Sequence, residues 1–170
     1  IEWVNHNVEH NSPVYSGTFY IYKTSKGMVI VNRVAVDDYI SKVVSSEIGG
    51  EAPMEALKAQ AVCARTYILK CSKSKYKKYN AIADDSTSYQ VYNRIGENIK
   101  TKKAAKATNG IVMTYENELI NAYYFSTSCG YTTDYRIWGK EKKLYLQGTN
   151  LTKNKTDIIE EKNFKKIITK

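Results

Sequence analysis

The sequence predicts an α+β fold: strands first, then two helices, then a short hairpin. Three observations carry this. Val14 to Tyr22 and Met28 to Val36 are rich in Val, Ile and Tyr, and Lys26-Gly27 supplies a turn between them. From Asp37 to Lys70 the apolar residues change to helical spacing, broken at Gly49-Gly50 and restarted at Pro53. Beyond Gly110, IVMTYENELINAYYFSTS reads as a C-terminal hairpin turning near Glu116-Asn117, followed by a loop of small polar residues, Ser126 to Gly130.

Asp37 is the expected N-cap of the first helix, and Gly49-Gly50 ends it. Val36, Ile40, Val43 and Val44 form its apolar stripe. At about 100° per residue, Glu47 falls within the same arc. A carboxylate moved into an apolar setting loses hydration, which disfavours its charged form and raises its pKa. A proton donor working near neutral pH needs that shift. The other reading is a helix end at which Glu47 curls back to solvent past Gly49. Periodicity leaves both open.

Pro53 opens the second helix at its first turn, Glu55 suits the positive end of its dipole, and the pattern runs to about Lys70. Met54, Leu57, Ala61, Ala64 and Ile68 form its stripe, with Gln60 and Arg65 on opposite shoulders. The two helices thus meet at a tight Gly-Gly corner with Glu47 beside it. A lysine-rich loop leads to DDSTSYQVYN, and a short helix from Thr101 to Asn109 ends at Gly110. The lysine-rich tail has helical pattern only from Ile158 to Ile168, and there are no internal repeats.

A chain of 170 residues is expected to form a single domain over 1–170, with a core that needs no metal or disulfide. Fifteen tyrosines against three phenylalanines favour aromatics with a polar tip, suited to a half-wet groove. The net charge of +9 calls for a polyanionic partner or surface. No RNP, helix-turn-helix or zinc-finger pattern accompanies it, so nucleic acid is not the expected partner; an anionic cell wall, or a solvated surface, explains the charge.

Cys63, Cys71 and Cys129 have no metal spacing. Cys63 and Cys71 lie about 12 Å apart along one helix, too far for a bridge. His6 and His10 have no partner cysteine or aspartate in a recognisable site, which argues against a Cys-His protease or a zinc hydrolase. No apolar run reaches bilayer length, and the start shows no signal-peptide pattern. The chain opens on IEWVN without a methionine, from which an upstream membrane anchor or signal is expected.

The segment SSEIGGEAPMEALKAQAVCARTY, with VNRVAVDDYISKVV before it and DSTSYQVY, STSCGYTTD and IWG after it, resembles the stage II sporulation protein D family. The match runs in family order from about Tyr15 to Gly148. It implies a peptidoglycan lytic transglycosylase, which cuts between N-acetylmuramic acid and N-acetylglucosamine without water and leaves a 1,6-anhydromuramic end. The resemblance further implies a substrate whose stem peptides an amidase has removed, a role in engulfment, and an extracytoplasmic, membrane-anchored setting at the cell wall or in the intermembrane space of the sporangium. The glutamate of the family's S-E-M/I motif is Glu47 here, which implies the catalytic acid/base. One carboxyl suffices if the sugar's own 6-hydroxyl is the nucleophile, whereas ordinary glycosidases need a pair.

Gln60 and Arg65 match family positions; for Arg65, holding a muramyl lactate and a structural hydrogen-bonding role both stand. Gln90 and Tyr92 match a block placed near the groove. Ser126, Thr127 and Ser128 suit sugar hydroxyls, or equally a turn that Gly130 needs. Asp134 stands where the family has Glu or Asp. Two departures matter. Some members carry zinc-binding His and Cys before the Q-x-Y block; NAIADDSTSYQVY has neither, so no metal and no cofactor are expected. Cys129 replaces a glycine of the S-T-S-G-G loop, which adds a thiol beside it. The rival reading is a wall-binding amidase enhancer without cleavage of its own.

Overall fold

In a computed structural model, residues 14–71, 75–92, 95, 98–125, 128, 130–139 and 141–151 are described. Among them are three α-helices and two small antiparallel sheets, so the class is mixed helix and strand. The expected helix over Ile158 to Ile168 lies outside the described residues, as do His6 and His10. The chain falls into two compact units, residues 1–123 and 124–170.

In the first unit, β1 (Thr18–Thr24) pairs antiparallel with β2 (Gly27–Arg33), from Thr18↔Arg33 to Thr24↔Gly27. The two-residue turn is therefore Ser25-Lys26, one position before the expected Lys26-Gly27. Gly27 has φ 129, a value that favours glycine.

Helix α1 spans Val36–Ile48, starting two residues earlier than an N-cap at Asp37 implies. Ala35 occupies the N-cap position, with no side-chain cap bond. Asp37 is not the cap because its carboxylate accepts from Arg65 Nη2 at 3.2 Å. With Asp38 it still lies in the first turn, where an acid suits the helix dipole. The stripe is also narrower than the sequence suggested: Ile40, Val43 and Val44 are fully buried, whereas Val36 is exposed. Gly49 ends the helix with φ 74, and its N–H donates to Ser45 O at 3.1 Å.

Helix α2 spans Met54–Lys70 with Pro53 at its N-cap, and it buries Leu57, Ala61, Ala64 and Ile68. Helix α3 covers Ile99–Ala107, two residues earlier than expected at each end. The shift has a local cause. Asn98 Oδ1 accepts from Lys100 N at 2.8 Å and Thr101 N at 3.4 Å, which makes Asn98 the cap. Ala61, Ala64, Ala104 and Ala105 are all buried, and their small size lets the three helices pack closely around Ile40, Val43, Val44 and Leu57. A hairpin of β3 (Thr114–Tyr115) and β4 (Glu118–Leu119) turns through Glu116 and Asn117, both with positive φ.

Buried Lys42 joins the helices to the segment before β1. It is 4% exposed, and its Nζ donates to Val14 O at 2.6 Å. The ammonium also lies 5.9 Å and 6.0 Å from the ring centroids of Tyr15 and Tyr92, so a carbonyl and two π faces replace its lost water.

In the second unit, Tyr131 and Asn150 form an isolated antiparallel bridge, and short 3-10 turns cover Tyr135–Ile137 and Leu144–Leu146.

Candidate active site

Helices α1, α2 and α3 converge where α1 ends. A Cβ at Gly50 would run into the Asn98 amide, so glycine is what allows the cap of α3 to approach there. Just past it, Glu51 pairs with Lys100 at 3.2 Å. The opposite end of α1 is tied by Arg65, whose Nη2 also donates to Ala105 O at 3.0 Å near the end of α3. From Asp37 to Glu47, the rise of an α-helix covers about 15 Å. Arg65 and Glu47 therefore serve opposite ends of one helix.

Glu47 is half-buried, one turn beyond the fully buried Val43 and Val44. Its Oε1 accepts from Val91 N at 2.9 Å. Next to it, Ser46 Oγ accepts from Ile95 N at 3.3 Å. The segment after Tyr89 is thus stitched to the last turn of α1 through backbone donors. The carboxyl does not curl away to solvent. It is held by a neighbouring segment.

The flanking side chains of that segment are buried. Gln90 is 1% exposed; its Nε2 donates to Ala64 O at 3.3 Å, and its Oε1 accepts from Tyr39 Oη at 3.2 Å. Tyr92 stacks on Tyr39 with centroids 5.0 Å apart and donates its hydroxyl to Asn32 Oδ1 at 3.3 Å. Burial, with Tyr15 and Asp38 adding to it, pushes the Tyr92 phenol up to about 12. Gln90 and Tyr92, expected near the groove as substrate contacts, have polar atoms bonded within the protein. The Tyr15–Tyr39–Tyr92 cluster likewise uses tyrosines as ties between elements rather than as a wet groove wall.

Arg65 is 2% exposed. Its Nη1 donates to Thr108 Oγ1 and Ile111 O, both at 3.3 Å, in addition to the Nη2 bonds. Of the two readings open in the sequence, this geometry fits the structural one. The Arg65 Nε, however, is buried with no hydrogen-bond partner among the described residues, and so is Gln60 Nε2. A donor in that state is what a bound hydroxyl or water satisfies.

Ser126, Thr127 and Cys129 lie outside the described residues. Ser128 Oγ accepts from Gly130 N at 3.4 Å, a turn contact. Asp134 caps the 3-10 turn, its Oδ1 accepting from both Arg136 N and Nε at 2.9 Å and its Oδ2 from Nη2 at 3.0 Å. These bonds hold its carboxyl down at about 2. Its polar atoms serve the turn.

Two features escaped the sequence reading. The Val91 donor is a backbone N–H, which leaves no mark on side-chain pattern. Asp85, in the block before Gln90, is half-buried, and desolvation, with the charge of Asp84 adding to it, pushes its carboxyl up. Burial also raises the Cys63 thiol, which suits an inert packing cysteine.

The family profile described as "Stage II sporulation protein" matches residues 24–115. The chain is 36% identical over 125 residues to an uncharacterised protein of Brachyspira hyodysenteriae, covering 73% of this chain and 34% of that protein. It is 34% identical over 143 residues to the stage II sporulation protein D of Bacillus amyloliquefaciens, covering 75% of this chain and 41% of that protein. A shorter match, 39% over 90 residues, is to the amidase enhancer of Bacillus subtilis, covering 53% of this chain and 12% of that protein. The chain thus spans well under half the length of these relatives, and by the profile and the coverage it belongs to the stage II sporulation protein D family.

Proposed function

We propose that this chain is the catalytic part of a peptidoglycan lytic transglycosylase acting on peptide-free glycan strands. The observation that carries the reading is the Glu47 carboxyl, half-buried at the end of α1 and held at 2.9 Å by the Val91 N–H. Glu47 donates its proton to the oxygen linking muramic acid C1 to the next sugar, and the C1–O bond breaks. The muramyl 6-hydroxyl then closes on C1, and its proton returns to Glu47. Atoms balance without water, and one group serves as acid and then as base. Glu51, close in sequence, is exposed and paired with Lys100, which fits a site that uses one carboxyl.

Gln60 supports the same reading as a substrate contact, since its buried amide donor has no other use among the described residues. Ser126, Thr127 and Ser128 remain proposed hydroxyl contacts. An amidase acting beforehand removes the stem peptides, and the setting is the cell-wall side of the sporulating cell. Among the described residues, no helix is long and apolar enough to cross a membrane.

The second reading, a wall-binding amidase enhancer, draws on the partial match to a protein of that name and on the net charge of +9. The test incubates peptide-free and peptide-bearing strands with the chain, alone and with an amidase. The lytic reading expects cleavage of peptide-free strands without amidase. Stimulation of amidase that survives Glu47→Ala, with no cleavage by the chain alone, establishes the enhancer instead.

A further inference from the structure

We infer that Gln90 is a positioning residue that acts through the Val91 N–H to fix which oxygen of Glu47 exchanges the proton. The inference rests on the lytic reading of Glu47. It begins with the hydrogen bond from Val91 N to Oε1. In a carboxylic acid only one oxygen carries hydrogen, and the other is an acceptor. The carbonyl oxygen of the acid is the stronger acceptor and a proton on Oε1 would weaken the bond from Val91, so the acid form carries its proton on Oε2. The proton that reaches the glycosidic oxygen leaves Oε2, and the proton from the 6-hydroxyl returns there.

The donor stays in place only if residues 90–92 do, and Gln90 holds them. Its amide spans both helices of the site, accepting from Tyr39 of α1 and donating to Ala64 of α2. Tyr92, two residues on, stacks on the same Tyr39. Val91 is thus bracketed by two anchors on α1, the helix that carries Glu47. Loss of one Gln90 bond loosens the segment, and loss of both frees it and lets Glu47 choose between its oxygens. This role explains a fully buried amide in the block that the sequence placed at the groove.

The test compares wild type, Gln90→Leu, a backbone amide-to-ester replacement at Val91, and the two changes together. The ester removes the N–H and leaves the valine side chain. Either change alone is expected to lower kcat about 10-fold or more on peptide-free glycan, with KM unchanged. The pair is expected to lose no more than the ester alone, since both act through one donor. Tyr39→Phe, which removes one of the two Gln90 bonds, gives a smaller loss and serves if Gln90→Leu does not fold. Full kcat in the ester, or losses that multiply in the pair, overturns the proposal. The Val91 amide proton resonance reads the same geometry without turnover. It should move upfield in Glu47→Ala and in Gln90→Leu, and a resonance that moves in neither overturns the hold. If wild type cleaves nothing, the lytic reading and the Oε2 assignment fall together, while a shifted Val91 resonance still upholds the hold of Gln90 on Glu47.

Discussion

The two ends of helix α1 carry the same chemical group in different settings. At the start, the Asp37 carboxylate meets a guanidinium that is 2% exposed and bonded to three further protein groups. At the end, the Glu47 carboxyl is half-buried and meets one backbone N–H among the described residues. The first is a knot of charge whose partners are all protein atoms. The second leaves an oxygen for something else. Burial depth alone does not separate the two ends; what differs is how many protein partners each carboxyl's surroundings supply, and on the proposed reading that difference leaves Glu47 available for chemistry.

The largest expected effect breaks the working end. Glu47→Gln should lower turnover by about 10²–10⁴-fold, the contribution of a positioned acid/base. Its unfolding midpoint in urea should stay near that of wild type, because the amide oxygen can still accept from Val91. A large loss of stability would move Glu47 into the structural class.

Arg65→Ala is the reciprocal test. It removes four hydrogen bonds and leaves the Asp37 carboxylate, which is about one-third exposed and can rehydrate, so the expected cost is about 3 kcal/mol, at the low end for a broken buried pair. Arg65→Lys should recover less than half, because a single ammonium cannot reach acceptors spread over α1, α3 and Ile111. Denaturant curves report both. A stable Arg65→Ala protein that no longer binds glycan would restore the substrate-contact reading.

Asp85→Asn sharpens the single-carboxyl claim. Burial pushes this group up, yet nothing places it at Glu47, so cleavage should remain within a few-fold of wild type. An inactive Asp85→Asn enzyme would point to a carboxyl pair. Tyr92→Phe is milder still, losing the bond to Asn32 at a cost of about 1 kcal/mol by thermal or urea unfolding.

The smallest effect belongs to the second unit. Asp134 titrates at about 2 in the folded chain, below its unfolded value near 3.9. Its contribution is therefore present above the unfolded value and is lost as pH falls through the folded one. An NMR titration should show the Arg136 amide resonance moving with a midpoint near 2. A midpoint at the ordinary carboxylate value would mean that the Asp134–Arg136 fork does not form in solution.

Much of the first unit was legible because its signals are local. Pro53 and the spacing from Leu57 to Ile68 set α2 correctly, and Gly49 marked the end of α1. The start of α1 was misplaced because an aspartate reads as a cap, while here it is drawn to an arginine 28 residues away. Arg65 itself was ambiguous, since the same fork suits a ligand carboxylate and an internal one. The tyrosines are ambiguous for a related reason: an amphipathic ring fills a groove wall or a core corner equally well. Glu47 could be singled out by its place on the stripe, but its partner could not. Every residue except proline has an N–H, and only the fold decides which one faces a carboxyl.

The most direct measurement is mass spectrometry of peptide-free glycan strands after incubation with wild type and with Glu47→Gln. The lytic account predicts new muramyl ends lighter by one water than hydrolytic ends, formed by wild type and absent with Glu47→Gln. Hydrated reducing ends, or anhydro ends that persist in the variant, would contradict it.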